Sequence, residues 1–195
     1  MLFYKNALLG GGITNPLCAD YKNEWRACGD DKERLTKLAL RQQSLPYLCT
    51  FAYKGIGITK EYAKSAFKDY INGVVLNDCD NVEGYTYGMF VDYNYDNVVD
   101  LNMDVSAWMW CDDVDVSIET SKCPTLYVSN KSKLNLSLGG CNSITIYLFD
   151  ESEVDIDDAD ETCNILVYKY SDDAKVVKNM YCLCDIKEFR KQIRL

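Results

Sequence analysis

Cys123-Pro124-Thr125-Leu126-Tyr127-Val128, Cys141-Asn142-Ser143-Ile144-Thr145-Ile146-Tyr147-Leu148 and Cys163-Asn164-Ile165-Leu166-Val167-Tyr168-Lys169-Tyr170 are three short β-type runs, each opened by a cysteine, at spacings of 18 and 22 residues. Half a period out of phase runs a second series, Lys133-Leu134-Asn135-Leu136, Glu153-Val154-Asp155-Ile156 and Lys175-Val176-Val177-Lys178, spaced 20 and 22. Strand n therefore resembles strand n+2 more than strand n+1. A hairpin meander gives no reason for that alternation, whereas a coil of two strands wound repeatedly over itself does. The reading is a β-solenoid, parallel β-helix-like, with two strands per coil of roughly 20 residues and right-handed by the general preference for parallel crossovers. An antiparallel β-sandwich is the alternative with the same strand rhythm.

Register follows from the repeat. Val114, Leu134, Val154 and Val176 are expected to stack inside one wall, Leu126, Ile146 and Val167 inside the other, and Tyr127, Tyr147 and Tyr168 to form an outward aromatic ladder. The recurring cysteines are expected to fill a tight interior corner as small hydrophobes, with Cys182-Leu183-Cys184 continuing the series. A zinc site joining that pair to Cys18 and Cys28 would lack the usual knuckle spacing.

The solenoid is assigned to 74–184, with helices on either side. Residues 1–73 read as a helical N-terminal cap: Asn15-Pro16 opens a helix that Gly29 closes, and Tyr62, Ala63, Ala66, Phe67, Tyr70 and Ile71 form an apolar stripe after Thr59. Asp185 and Glu188 are spaced as a capping box, so 185–195 is expected to be a C-terminal capping helix. Open solenoid ends template aggregation, which is why caps are expected.

Charge is uneven. Residues 1–73 carry 11 Lys/Arg against 7 Asp/Glu, residues 74–121 none against 11, and residues 122–195 carry 10 against 12, so the middle third is strongly anionic. That balance disfavours direct binding of nucleic acid or an anionic membrane and suits a protein partner, in particular a basic one. No stretch reaches the length of a membrane span, and Ala7-Leu8-Leu9-Gly10-Gly11-Gly12-Ile13 is too short and glycine-broken for a signal peptide. A cytoplasmic or virion-associated protein is expected.

The chain has no histidine, which removes Ser-His and Cys-His nucleophilic machinery and imidazole acid–base chemistry. Carboxylates remain: 150–161 holds eight acids in twelve residues. Glu153, Asp155 and Asp157 would point outward along one strand, with Asp115 on the same face two coils away and Asp158 and Asp160 beside them. Such a row could bind calcium through its oxygens or, less economically, supply two carboxylates for glycosidic cleavage. Trp108 and Trp110, in the acidic third, face one way by alternation and could stack on sugars or on a partner's guanidinium groups, or equally fill the core at a wide coil corner.

Ser44-Leu45-Pro46-Tyr47, Thr59-Lys60-Glu61-Tyr62 and Phe67-Lys68-Asp69-Tyr70-Ile71-Asn72-Gly73 resemble the helical N-terminal part of uncharacterised proteins encoded by phages and prophages of gut bacteria. The resemblance covers about a third of the chain, brings no catalytic residues, and implies a structural or host-interaction role. The expectation is a non-enzymatic structural or binding protein with a rigid acidic surface. Two alternatives are an acidic nucleic-acid mimic that inhibits a DNA-handling enzyme, like pentapeptide-repeat mimics in charge and shape only, and a carbohydrate-active enzyme on a parallel β-helix.

Overall fold

The computed structural model describes residues 19–31, 34–35, 38, 59–66, 87–93, 96–119, 122–158, 162–179 and 184–188. Alternating apolar and polar residues produce eleven short strands: β1 Tyr87–Val91, β2 Val99–Asp100, β3 Val105–Met109, β4 Val114–Ile118, β5 Thr125–Ser129, β6 Lys133–Leu138, β7 Ser143–Leu148, β8 Glu153–Asp157, β9 Asn164–Lys169, β10 Lys175–Lys178 and β11 Cys184–Glu188. Odd-numbered strands form one sheet in the order β1-β3-β5-β7-β9-β11, and even-numbered strands form a second in the order β10-β8-β6-β4-β2. Every pairing is parallel. The chain thus adds one strand to each sheet per coil, which is a β-solenoid and not a sandwich of hairpins.

The stacking expected from the repeat is present. Val114, Leu134, Val154 and Val176 are register partners in the second sheet, as are Leu126, Ile146 and Val167 in the first. Most of these side chains lie at 0–1% exposure, so the core is a continuous column of Val, Leu and Ile between the two walls. Parallel strands buried on one face and stacked like on like need this uniform size, because each side chain sits on its counterpart one coil below.

The corner leading from the first sheet to the second is built from left-handed residues: Asp92, Trp110, Asn130 and Asp150 have φ of 52, 57, 58 and 47°. Asn and Asp tolerate this conformation through their short polar side chains. Asn130 and Lys131 are both left-handed (φ 58 and 61°), as a type I′ turn demands. The Ser132 N–H closes that turn onto the Ser129 carbonyl at 3.3 Å. Inside the corner lie the small buried residues Cys111, Ser132, Ser152 and Ala174. Bonds of 2.9 Å from Lys133 N–H to Cys111 O, Glu153 N–H to Ser132 O and Lys175 N–H to Ser152 O tie the coils together there. At the opposite corner Gly140 has φ +71°, a conformation that glycine adopts without steric cost.

Two helices are described before the strands, α1 Ala19–Cys28 and α2 Lys60–Ala66. Trp25, Cys28, Leu38 and Ala63 join the same buried core as the strands. Register places Met89, Val91, Ala107 and Met109 on the outward side of the first sheet, with Tyr127 and Ser129, yet all four are fully buried. The outer flank of β1 and β3 is therefore covered. Lys60 and Lys64, one helical turn apart, both donate to the Asp92 carboxylate at the end of β1, which fixes α2 beside that strand.

Three expectations need correction. The C-terminal capping helix is absent from 184–188, which is strand β11, paired in parallel with β9; residues 189–195 lie outside the described set. The edge of β9 offers a row of unpaired backbone groups, and several ladder bonds outweigh a capping box worth about 1 kcal/mol. A helical N-terminal cap over 1–73 is not supported as a unit, since most of that span lies outside the described residues and α1 and α2 are its only described helical elements with assigned ranges. Cys123, expected in the interior corner, is exposed, while Cys141 and Cys163 are buried. Thr125 pairs with Thr145, so Cys123 comes two residues too late in its coil to share the position of Cys141.

Candidate binding faces

The outward face of the second sheet carries the acid run, and its columns alternate. Register aligns Lys133 with Glu153 and Glu153 with Lys175. Lys133 also pairs with Asp113 at 2.9 Å, and Lys175 with Glu153 at 3.6 Å, so acid and base succeed each other coil by coil. The Lys133 ammonium holds the Asp113 carboxyl below its usual range, and Asp113 in turn raises the Lys133 pKa. Along the next column stand Asp115, Asn135 and Asp155, and the Asn135 amide donates to Asp115 at 2.9 Å and to Asp113 at 3.2 Å. In the third, the Asn179 amide donates to Asp157 at 2.7 Å.

Asp115, Glu153, Asp155 and Asp157 thus share one face, as the alternation requires. The face is nevertheless not a bare carboxylate row. Asp115 and Asp155 are two coils apart, roughly 10 Å at the ~4.8 Å spacing of strands, with an amide between them. Among the described residues no group of three or more His, Cys, Asp or Glu side chains is gathered closely enough to hold a metal ion.

Asp158 belongs elsewhere. It is 1% exposed, and its Oδ2 accepts the Cys163 N–H at 3.1 Å, so it braces the corner between β8 and β9. Asp160 lies outside the described residues. Trp108 is a core residue at 0% exposure, stacked on Phe90 at 3.8 Å, with its indole N–H bonded to the Ser106 hydroxyl at 2.9 Å. Trp110, at the left-handed corner that follows β3, is partly buried and packs against the same core. Of the two roles expected for the pair, Trp108 takes core filling and not an aromatic surface.

The first sheet carries an aromatic ladder on its outward side, half-buried at Tyr147, Tyr168 and Tyr170 and buried at Tyr127 and Phe149. Tyr127, Tyr147 and Tyr168 are register partners, and successive rings stack at 4.9 Å with interplanar angles of 11 and 10°. Phe149 and Tyr170 make a parallel stack at 5.0 Å beside them, and Lys187 follows Tyr168 in the column, its ammonium 5.9 Å from the ring centre. Burial pushes the Tyr147 and Tyr170 hydroxyls above their usual pKa. Tyr147 and Tyr170 are thus held as neutral phenols, and ring packs against ring along the ladder. The three-tyrosine ladder was legible from the repeat; the Phe149–Tyr170 stack was missed, although Tyr170 stands two residues after Tyr168 and Phe149 two after Tyr147.

The thiols offer little reactivity. Cys28, Cys111, Cys123, Cys141 and Cys163 carry thiols and not disulfides, and burial raises Cys111 to about 12 and Cys141 above its ordinary value, so these two stay protonated. Among the described residues, no helix is long and apolar enough to cross a membrane. No family model, curated protein or solved structure matches the chain.

Proposed function

We propose that the chain is a non-enzymatic structural or binding protein that presents rigid, repeating side-chain columns to a protein partner. The observation that carries this reading is the half-buried cluster of Tyr147, Tyr168 and Tyr170, stacked on the buried rings of Tyr127 and Phe149 and so preset at the coil spacing. Preset aromatic groups lose little entropy on binding, which is why tyrosine is favoured at contact surfaces. The phage or prophage setting, and with it a cytoplasmic or virion location, rests on the likeness of the 44–73 segment alone. The N-terminal region acts in this reading as the cover of the first coils, a role supported by the burial of Trp25, Leu38 and Ala63.

The alternating columns of the second sheet favour this reading over the nucleic-acid mimic. A mimic needs uninterrupted negative charge, and Lys133, Lys175 and Asn135 interrupt it. The same interruption weakens calcium binding by the 150–161 run and a glycosidase built on Asp155 and Asp157.

The test is a salt-titrated pull-down from bacterial lysate with identification of what is captured. The chain is compared with a Tyr147→Ser/Tyr168→Ser variant and an Asp155→Asn/Asp157→Asn variant. One partner retained by the acid variant and lost by the tyrosine variant supports the proposal. Salt-sensitive capture of a DNA-handling enzyme, lost in the acid variant, would replace it with the mimic.

A further inference from the structure

We infer that the open end of the solenoid is a self-association surface, where two copies of this chain meet end to end about a two-fold axis, β11 pairing antiparallel with β11 of the second copy and β10 with its β10. The core columns end unevenly. Val167 and Val154 are 0% exposed, but the next members of their columns are not closed over: Ile186 is 40% exposed and Val176 is only partly buried. Val176 and Ile186 sit on β10 and β11, the last described strands in their sheets. At the opposite end Met89, Phe90 and Tyr93 are at 0–1% exposure. Among the described residues one end is therefore covered and the other exposed, so head-to-tail growth finds no second surface, whereas a two-fold arrangement uses the exposed end twice.

Charge selects the register. Facing residues of an antiparallel pair lie on the same side of the sheet, so Ile186 must face an inward residue of the second copy. With Ile186 opposite Ile186, Asp185 faces Lys187 of the second copy, and Lys187 faces its Asp185. Sliding by two residues one way sets Asp185 against Asp185; sliding the other way sets Lys187 against Lys187. Only the central register pairs opposite charges. Within one copy Asp185 and Lys187 already approach at 3.6 Å along the strand and are 66% and 49% exposed, so both are free to exchange partners. On β10 the matching register sets Val176 against Val176 and Lys175 against Val177, with no like charges opposed.

Sedimentation equilibrium of the full chain tests this. The expected mass rises with concentration toward twice that of the monomer. Asp185→Lys alone and Lys187→Asp alone each place like charges face to face and weaken association roughly fivefold to tenfold, while the double swap restores it. Circular dichroism melting confirms that the exposed substitutions leave the fold intact. A mass that stays monomeric at every concentration overturns the proposal, and so does association that the single and double swaps affect alike.

Discussion

The two outer faces of this solenoid obey the same register and solve it with opposite chemistry. On the first sheet like stands on like: tyrosine on tyrosine, with Phe149 under Tyr170. On the second, unlike stands on unlike: Asp113, Lys133, Glu153 and Lys175 alternate in sign, and Asn135 separates Asp115 from Asp155. Parallel stacking brings equivalent residues to about 4.8 Å of each other. Aromatic rings gain from that repetition, roughly 0.5–1.5 kcal/mol per stack beyond burial, whereas carboxylates repel. A chain that repeats its strands can therefore repeat its tyrosines but must vary its charges.

The comparison can be broken hardest through what the faces share. Leu134→Ala and Ile146→Ala remove fully buried members of the two inner columns, and each is expected to cost about 2–5 kcal/mol in denaturant unfolding. Similar losses in both walls would show that the faces differ only outside the core. Next in size is Tyr147→Ala, which breaks the stacks with both Tyr127 and Tyr168, for about 2 kcal/mol with little dependence on salt. Lys133→Glu would line carboxylates at three successive levels of the charged column; a loss smaller than that of Tyr147→Ala is expected, shrinking as salt is added. A tyrosine loss as salt-sensitive as the lysine reversal would erase the distinction.

The smallest effect concerns the join to α2. Burial raises the Asp92 carboxyl, but hydrogen bonds from Lys64 and Lys60 outweigh it and hold the carboxyl below 3.8. A lowered carboxyl stabilises the folded state above its unfolded value, and that contribution disappears as pH falls from about 3.8 through the lowered value. Asp92→Asn is expected to remove roughly 0.5–1 kcal/mol at neutral pH and to flatten that acid limb of the stability profile. An unchanged limb would mean that the two lysines contribute nothing to the docking of α2.

The inner columns were legible because burial in a parallel stack leaves a plain mark, Val, Leu or Ile at every equivalent position. The aromatic ladder was legible for the same reason. The corners were not: Trp110 looks like a strand residue although its left-handed backbone belongs to a corner, and Cys123 opens its strand as Cys141 does but two residues out of register. Corner length varies between coils, and residue type alone does not report it. The 184–188 segment was misread because a local capping pattern competes with an available sheet edge, and only the tertiary structure supplies the edge. Among the acids, Asp158 was grouped with the outward row by proximity, although its one-residue step from Asp157 places it inside.

The most direct test of the account is the pattern of inter-strand nuclear Overhauser effects in the labelled chain. Parallel coils predict contacts between residues such as Thr125 and Thr145 and between Tyr147 and Tyr168, linking β5 to β7 and β7 to β9. Close Hα–Hα contacts between strands adjacent in sequence, β5 with β6 or β7 with β8, are the mark of antiparallel hairpins and would contradict the solenoid.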